Sequence, residues 1–72
     1  MVRIVGHGIL SRFTSQISIE RPLPLKCLLK RAGIEKEWWE DIVFVRDSFR
    51  IDVNEEIKDG DEIHLFVAMC GG

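Results

Sequence analysis

Apolar and polar residues alternate at both ends of this chain and fall at helical spacing between them. Val2, Ile4 and Gly6 alternate with Arg3, Val5 and His7, and Ile17 and Ile19 alternate with Gln16, Ser18 and Glu20. Period-two runs of this kind place one face of a strand in a core and leave the other open. The segment between them mixes turn residues (Gly6, Gly8, Ser11, Thr14, Ser15) with the apolar Ile9, Leu10 and Phe13, so a first β-hairpin with a partly apolar connection is the simplest joining. Leu25, Leu28, Leu29 and Ala32 then fall at i, i+3, i+4 and i+7, the stripe of a helix pressed on a sheet. Pro24 suits the first helical position, Lys30 and Arg31 complement the negative end of the helix dipole, and Gly33 suits the left-handed position that stops it. Leu23 stands where Ser, Thr or Asp would satisfy a free amide, a deficit of about 1 kcal/mol.

Glu35 to Asp41 is polar apart from Trp38 and Trp39, which predicts a short helical turn before the next strand. Neighbouring residues cannot share one face of a regular element, so one indole is expected to cover the core edge and the other to stay more exposed. Ile42-Val43-Phe44-Val45 reads as a strand, and Phe49 to Val53 as another after an Asp47-Ser48 turn. Asp59-Gly60-Asp61-Glu62 is a turn signal, and the last strand is expected over Glu62 to Met69. Ile63, Leu65, Val67 and Met69 point one way along it, and His64, Phe66 and Ala68 the other. The all-aliphatic set suits the helix side, which leaves Phe66 on the open face as a candidate partner contact.

The predicted order is strand, strand, helix, strand, short strand, strand. A helix between strands makes a right-handed crossover that sets a later strand parallel to an earlier one. The expected class is therefore α+β: a mixed sheet of four to five strands with one main helix packed on one face, as in the ubiquitin-like β-grasp. Its last strand would be central. One domain over residues 1–69 is expected, followed by a flexible tail over residues 70–72.

Composition narrows the function. At 72 residues, 46% hydrophobic and 31% charged, the chain is too apolar for disorder and has no long uncharged apolar run, which argues against a membrane span. Met1 to Val5 lacks the basic and apolar regions of a secretory signal, so a cytoplasmic location is expected. Charge is segregated: residues 1–34 carry six basic groups against one acidic (+5), and residues 35–72 carry four against eleven (−7). Cys27 and Cys70 lack metal or redox spacing, and Cys27 reads as a packing residue. The chain finishes in Gly71-Gly72. Two residues without a Cβ make a thin thread, and the carboxylate of Gly72 is unreactive until another enzyme activates it. An activated acyl group there would lie within reach of the Cys70 thiol, although packing is the ordinary role for that residue.

The segment DGDEIHLFVAMCGG, Asp59 to Gly72, resembles the acidic turn, final strand and terminal Gly-Gly of the bacterial ThiS/MoaD family of ubiquitin-like sulfur carriers. The helix stripe from Leu25 to Gly33 agrees more loosely, and the resemblance spans most of the chain. It implies that a ThiF/MoeB-like enzyme adenylates Gly72 with ATP while Gly71 threads the active site. The acyl-adenylate then becomes a thiocarboxylate that donates sulfur to a synthase. The protein would be a carrier rather than an enzyme, with no stably bound cofactor, metal, nucleic acid or membrane. Many ThiS-like chains have Asn-Gly where this one has Asp47-Ser48, and Cys70 replaces the usual small residue. The short first hairpin and the proline-free Val67-Ala68-Met69 favour thiamine thiazole synthesis. The alternative is a MoaD-like small subunit of a molybdopterin or tungstopterin synthase.

Two readings of other classes compete. A non-reactive β-grasp interaction module, such as an RNA-associated domain, should present a basic face with stacking aromatics, and only Phe13 lies amid the N-terminal arginines. An enzyme needs cohering catalytic groups. His7 and His64 fall far apart without ligand spacing, and Glu55, Glu56, Asp59, Asp61 and Glu62 read as a solvated acidic turn.

Overall fold

A computed structural model describes residues 1–68. Within them, β1 (Val2–Gly6), β2 (Ser15–Ile17), β7 (Glu62–Val67), β4 (Ile42–Arg46) and β5 (Phe49–Ile51) form one sheet in the order β2-β1-β7-β4-β5. The short strands β3 (Leu23–Pro24) and β6 (Glu56–Ile57) pair separately, and α1 (Leu25–Arg31) is the only α-helix among the described residues. β7 is central as expected. It runs parallel to β1, with Ile4 beside Ile63, and antiparallel to β4, with Phe44 beside Leu65. No helix of the described residues is long and apolar enough to cross a membrane.

The alternation read from the sequence sorts the strands as predicted. Val2, Ile4, Ile63, Leu65, Ile42 and Phe44 are buried beneath α1, where they meet Leu25, Leu28 and Leu29. Ala32 is half-buried and packs against this core from just past the helix. Gly33 has φ +83°, and the amides of Gly33 and Ile34 donate to the carbonyls of Lys30 and Leu29 at 3.1 and 2.9 Å. This is a Schellman stop, closed by the buried Ile34.

The start of α1 differs from expectation. Pro24 lies one position earlier than predicted, at the N-cap and in extended conformation, and it belongs to β3. The missing side-chain cap costs little, because Leu25 and Lys26 donate their amides to the carbonyls of Glu55 and Val53 at 2.9 and 2.8 Å. Those carbonyls lie just ahead of β6, whose pairing with β3 the sequence reading missed. Ile57, fully buried, is the single core residue of β6 in a polar run too short to show a period. β2 and β5 are likewise shorter than predicted, ending at Ile17 and Ile51.

β7 ends at Val67, short of the expected Met69, and the other elements fall where predicted. Lys36–Asp41 forms a 3-10 helix in which Trp39 packs on the core and donates its indole N–H to the Ile34 carbonyl at 3.2 Å, while Trp38 is 43% exposed. The first hairpin pairs Val2 with Ile17 across a second 3-10 helix, Gly8–Phe13. The acidic turn is more than a solvated face: Arg46 grips Glu55 at 2.8 Å and Asp61 at 3.3 Å, and donates to the Glu56 carbonyl at 2.9 Å. Asp47 and Ser48 both have positive φ, 53° and 71°, as a two-residue hairpin of the twist-matching kind requires, yet neither is glycine.

Two glycines are required for different reasons. A Cβ on Gly6 would overlap the backbone carbonyl of Leu10, whereas one on Gly33 would meet open space and suffer only from its φ. Gly6→Ala is expected to destabilise by about 3 kcal/mol or more, and Gly33→Ala by about 1 kcal/mol, in denaturant unfolding. Ser48→Gly is expected to raise the unfolding free energy by about 1 kcal/mol, because it removes the strain of a left-handed non-glycine residue.

Candidate functional site

The face of the sheet turned away from α1 carries Arg3 and Val5 on β1, Glu62, His64 and Phe66 on β7, and Val43 and Val45 on β4. Pairing fixes their neighbours: Arg3 lies beside Glu62, Val5 and Val45 flank His64, and Val43 lies beside Phe66. His7 follows β1 directly, and its amide still donates to the Leu65 carbonyl at 3.0 Å. That bond prolongs the parallel ladder by one step and delivers the His7 ring to Phe66, with centroids 4.4 Å apart and planes 5° apart.

Phe66 therefore lies on the open face as predicted, 40% exposed, with one side of its ring covered by His7. The histidines contradict the sequence reading. His7 Nε2 and His64 Nδ1 are 2.8 Å apart, and His64 Nε2 lies 3.1 Å from Glu62 Oε2. Arg3 pairs with the other oxygen of Glu62 at 3.3 Å. The signal was present. Once the first and last strands are set parallel with Ile4 beside Ile63, the same register brings the open-face alternants Arg3, Val5 and His7 alongside Glu62, His64 and Phe66. Among the described residues no group of three or more His, Cys, Asp or Glu could hold a metal ion.

A second feature borders the exit of β7. Ile9 is 78% exposed and, with Leu10, Trp38, Ile42, Val67 and Ala68, lines an apolar concavity rimmed by Glu37 and Asp41. Arg12 lies over the rings of both Phe13 and Trp38, at 4.9 and 5.8 Å, and ties the two 3-10 helices together on this side. The Ala68 amide donates to the Asp41 carbonyl at 2.8 Å, so the backbone is held to the end of the described segment. Met69 at the predicted strand end, and the tail residues Cys70, Gly71 and Gly72, lie outside the described residues. Cys27 is a half-buried free thiol on α1.

A mixed sheet with its first and last strands parallel at the centre, and one helix across a face, defines the ubiquitin-like β-grasp. The crystal structure of SAMP1 from Haloferax volcanii is similar to this chain, with a TM-score of 0.74 over 99% of this chain and 98% of that one at 16% sequence identity. No family model matches the chain, and no curated protein matches it in sequence.

Because Phe66 contributes to the open face and not to the core, Phe66→Ala is expected to change stability by less than about 1 kcal/mol. It should also remove the ring-current shift of the His7 imidazole protons. Denaturant unfolding and proton NMR of the variant check both effects.

Proposed function

We propose that this protein is a ubiquitin-like sulfur carrier. In this reading the Gly72 carboxylate attacks the α-phosphate of ATP in a ThiF/MoeB-like enzyme, releasing pyrophosphate and forming an acyl-adenylate. A sulfur nucleophile then displaces AMP, and the resulting thiocarboxylate gives its sulfur to a synthase. The partner supplies the catalytic groups. This chain supplies recognition, with Gly71 and Gly72 passing through a slot fitted to bare backbone. The scheme requires Gly72 to be C-terminal in the working protein and places it in the cytoplasm with ATP and its partners.

The observation that carries the reading is the placement of β7. It is laddered on both sides, by β1 and β4, and runs toward the tail while presenting an exposed aromatic two residues before the last described position. A centrally held strand is a firm base from which to offer a thread, and an exposed ring beside a valine floor is the kind of anchor that partner interfaces centre on. The resemblance of Asp59–Gly72 to ThiS/MoaD carriers adds the chemistry. Thiazole synthesis is the favoured destination of the sulfur, and a MoaD-like role in a pterin synthase is the alternative.

Intact-mass measurement tests the proposal after incubation with ATP, a sulfur source and the cognate adenylating enzyme. Exchange of one oxygen for one sulfur, localised to Gly72, is expected. A residue appended after Gly72 should abolish loading, and Phe66→Asp should slow it about tenfold or more, as loss of an interface anchor does. An unchanged mass with an active cognate enzyme would favour the non-reactive interaction module.

A further inference from the structure

Glu62, His64, His7 and Phe66 form a single line across the open face, whose inner links are the 3.1 and 2.8 Å contacts and whose end is the ring stack on Phe66. The two imidazole centroids are 5.1 Å apart and their planes are inclined by 23°. With the facing nitrogens only 2.8 Å apart, a centroid separation that large means the rings meet edge to edge along the N···N line, not face over face. Their in-plane lone-pair directions therefore oppose one another. That is the geometry of one shared proton, and not of two donors converging on a metal ion.

Counting protons along the line gives two regimes. An ionised carboxylate only accepts, so Glu62 sets the His64 proton on Nε2 and leaves Nδ1 as acceptor, and His7 then donates from Nε2. A first added proton goes to His7 Nδ1, which takes no part in the line. Every contact survives, the N–H···N bond becomes charge-assisted, and the imidazolium lies on the face of Phe66 as a cation–π pair. A second proton must go to His64 Nδ1. Two N–H donors and two positive charges would then oppose each other across the same gap, and the contact must break.

We propose that this line is a proton latch over Phe66, closed with no or one added proton and opened by the second. Opening takes His7 off the ring and uncovers the side of Phe66 that it shields. The charged groups around the pair are Glu62 on β7, Arg3 on β1, Asp47 in the β4–β5 turn, which lines one concavity with both histidines and Phe66, and, one strand further out, Arg50 on β5, paired with Val45. Among them only Glu62 hydrogen-bonds the pair. The latch is a property of the free chain and stands apart from the carrier reading. Only its consequence, control of how a partner reaches Phe66, rests on that reading.

Side-chain nitrogen NMR of the free, full-length protein, titrated downward from about pH 8 through the imidazole range, tests the latch. The expected record has two separate protonation events. Nuclear Overhauser contacts between His7 and Phe66 persist through the first and disappear in the second, while the β1 and β7 backbone amides stay in place. In His64→Gln, which removes the opposing imidazolium, the His7–Phe66 contact is expected to persist through the one protonation that remains. Independent one-step titration of the two rings in the wild-type chain would overturn the proposal, and so would a His7–Phe66 contact that outlasts both protonations. Because the wild-type record decides, a variant that fails to fold leaves the test intact.

Discussion

The double ladder around β7 is the constraint on which the rest of this molecule depends. Ile63 and Leu65 are fully buried beneath the leucines of α1, and their strand is bonded to β1 on one side and β4 on the other. A strand fixed by its register has no freedom to slip, because a shift of one residue would send Ile63 and Leu65 to the open face and His64 into the core. In a 72-residue domain with one core, that exchange would leave little to hold the fold. The same register that secures the core therefore also fixes the neighbours of Phe66 on the other face.

Seen this way, the two faces of the sheet divide the work. The helix side is aliphatic and closed. The open side carries Glu62, His64 and Phe66 of β7 and His7 just after β1 in one connected line. The fold by itself assigns no function; in the proposed reading the chemistry lies at Gly71-Gly72 and the sheet supplies a rigid address. The proposed sulfur chemistry and the proton latch use different parts of this design: the first needs the thread, the second only the open face.

Much of the fold was legible because its signals are periodic. The Leu25–Leu28–Leu29 stripe, the Gly33 stop and the alternation in β1 and β7 each follow from one residue's geometry at a time. What escaped was set by distant backbone. The N-terminus of α1 is satisfied by the carbonyls of Val53 and Glu55, more than twenty residues away in sequence, so local capping rules placed Pro24 one position off. β3 and β6 are two residues each, and Ile57 alone marks them. At the candidate site, Phe66 was legible from alternation within one strand. The His7–His64 contact needs one step more: it follows only once the first and last strands are paired in parallel with Ile4 beside Ile63, a register that neither strand shows alone.

The central claim is that β7 is the most firmly held element among the described residues, fixed by a ladder on each side. Native-state amide hydrogen exchange measures this directly. The account predicts that the Ile63 and Leu65 amides exchange only through global unfolding and rank among the slowest in the chain. Exchange of those amides through a local opening of much lower free energy, while α1 and β1 stay protected, would contradict it.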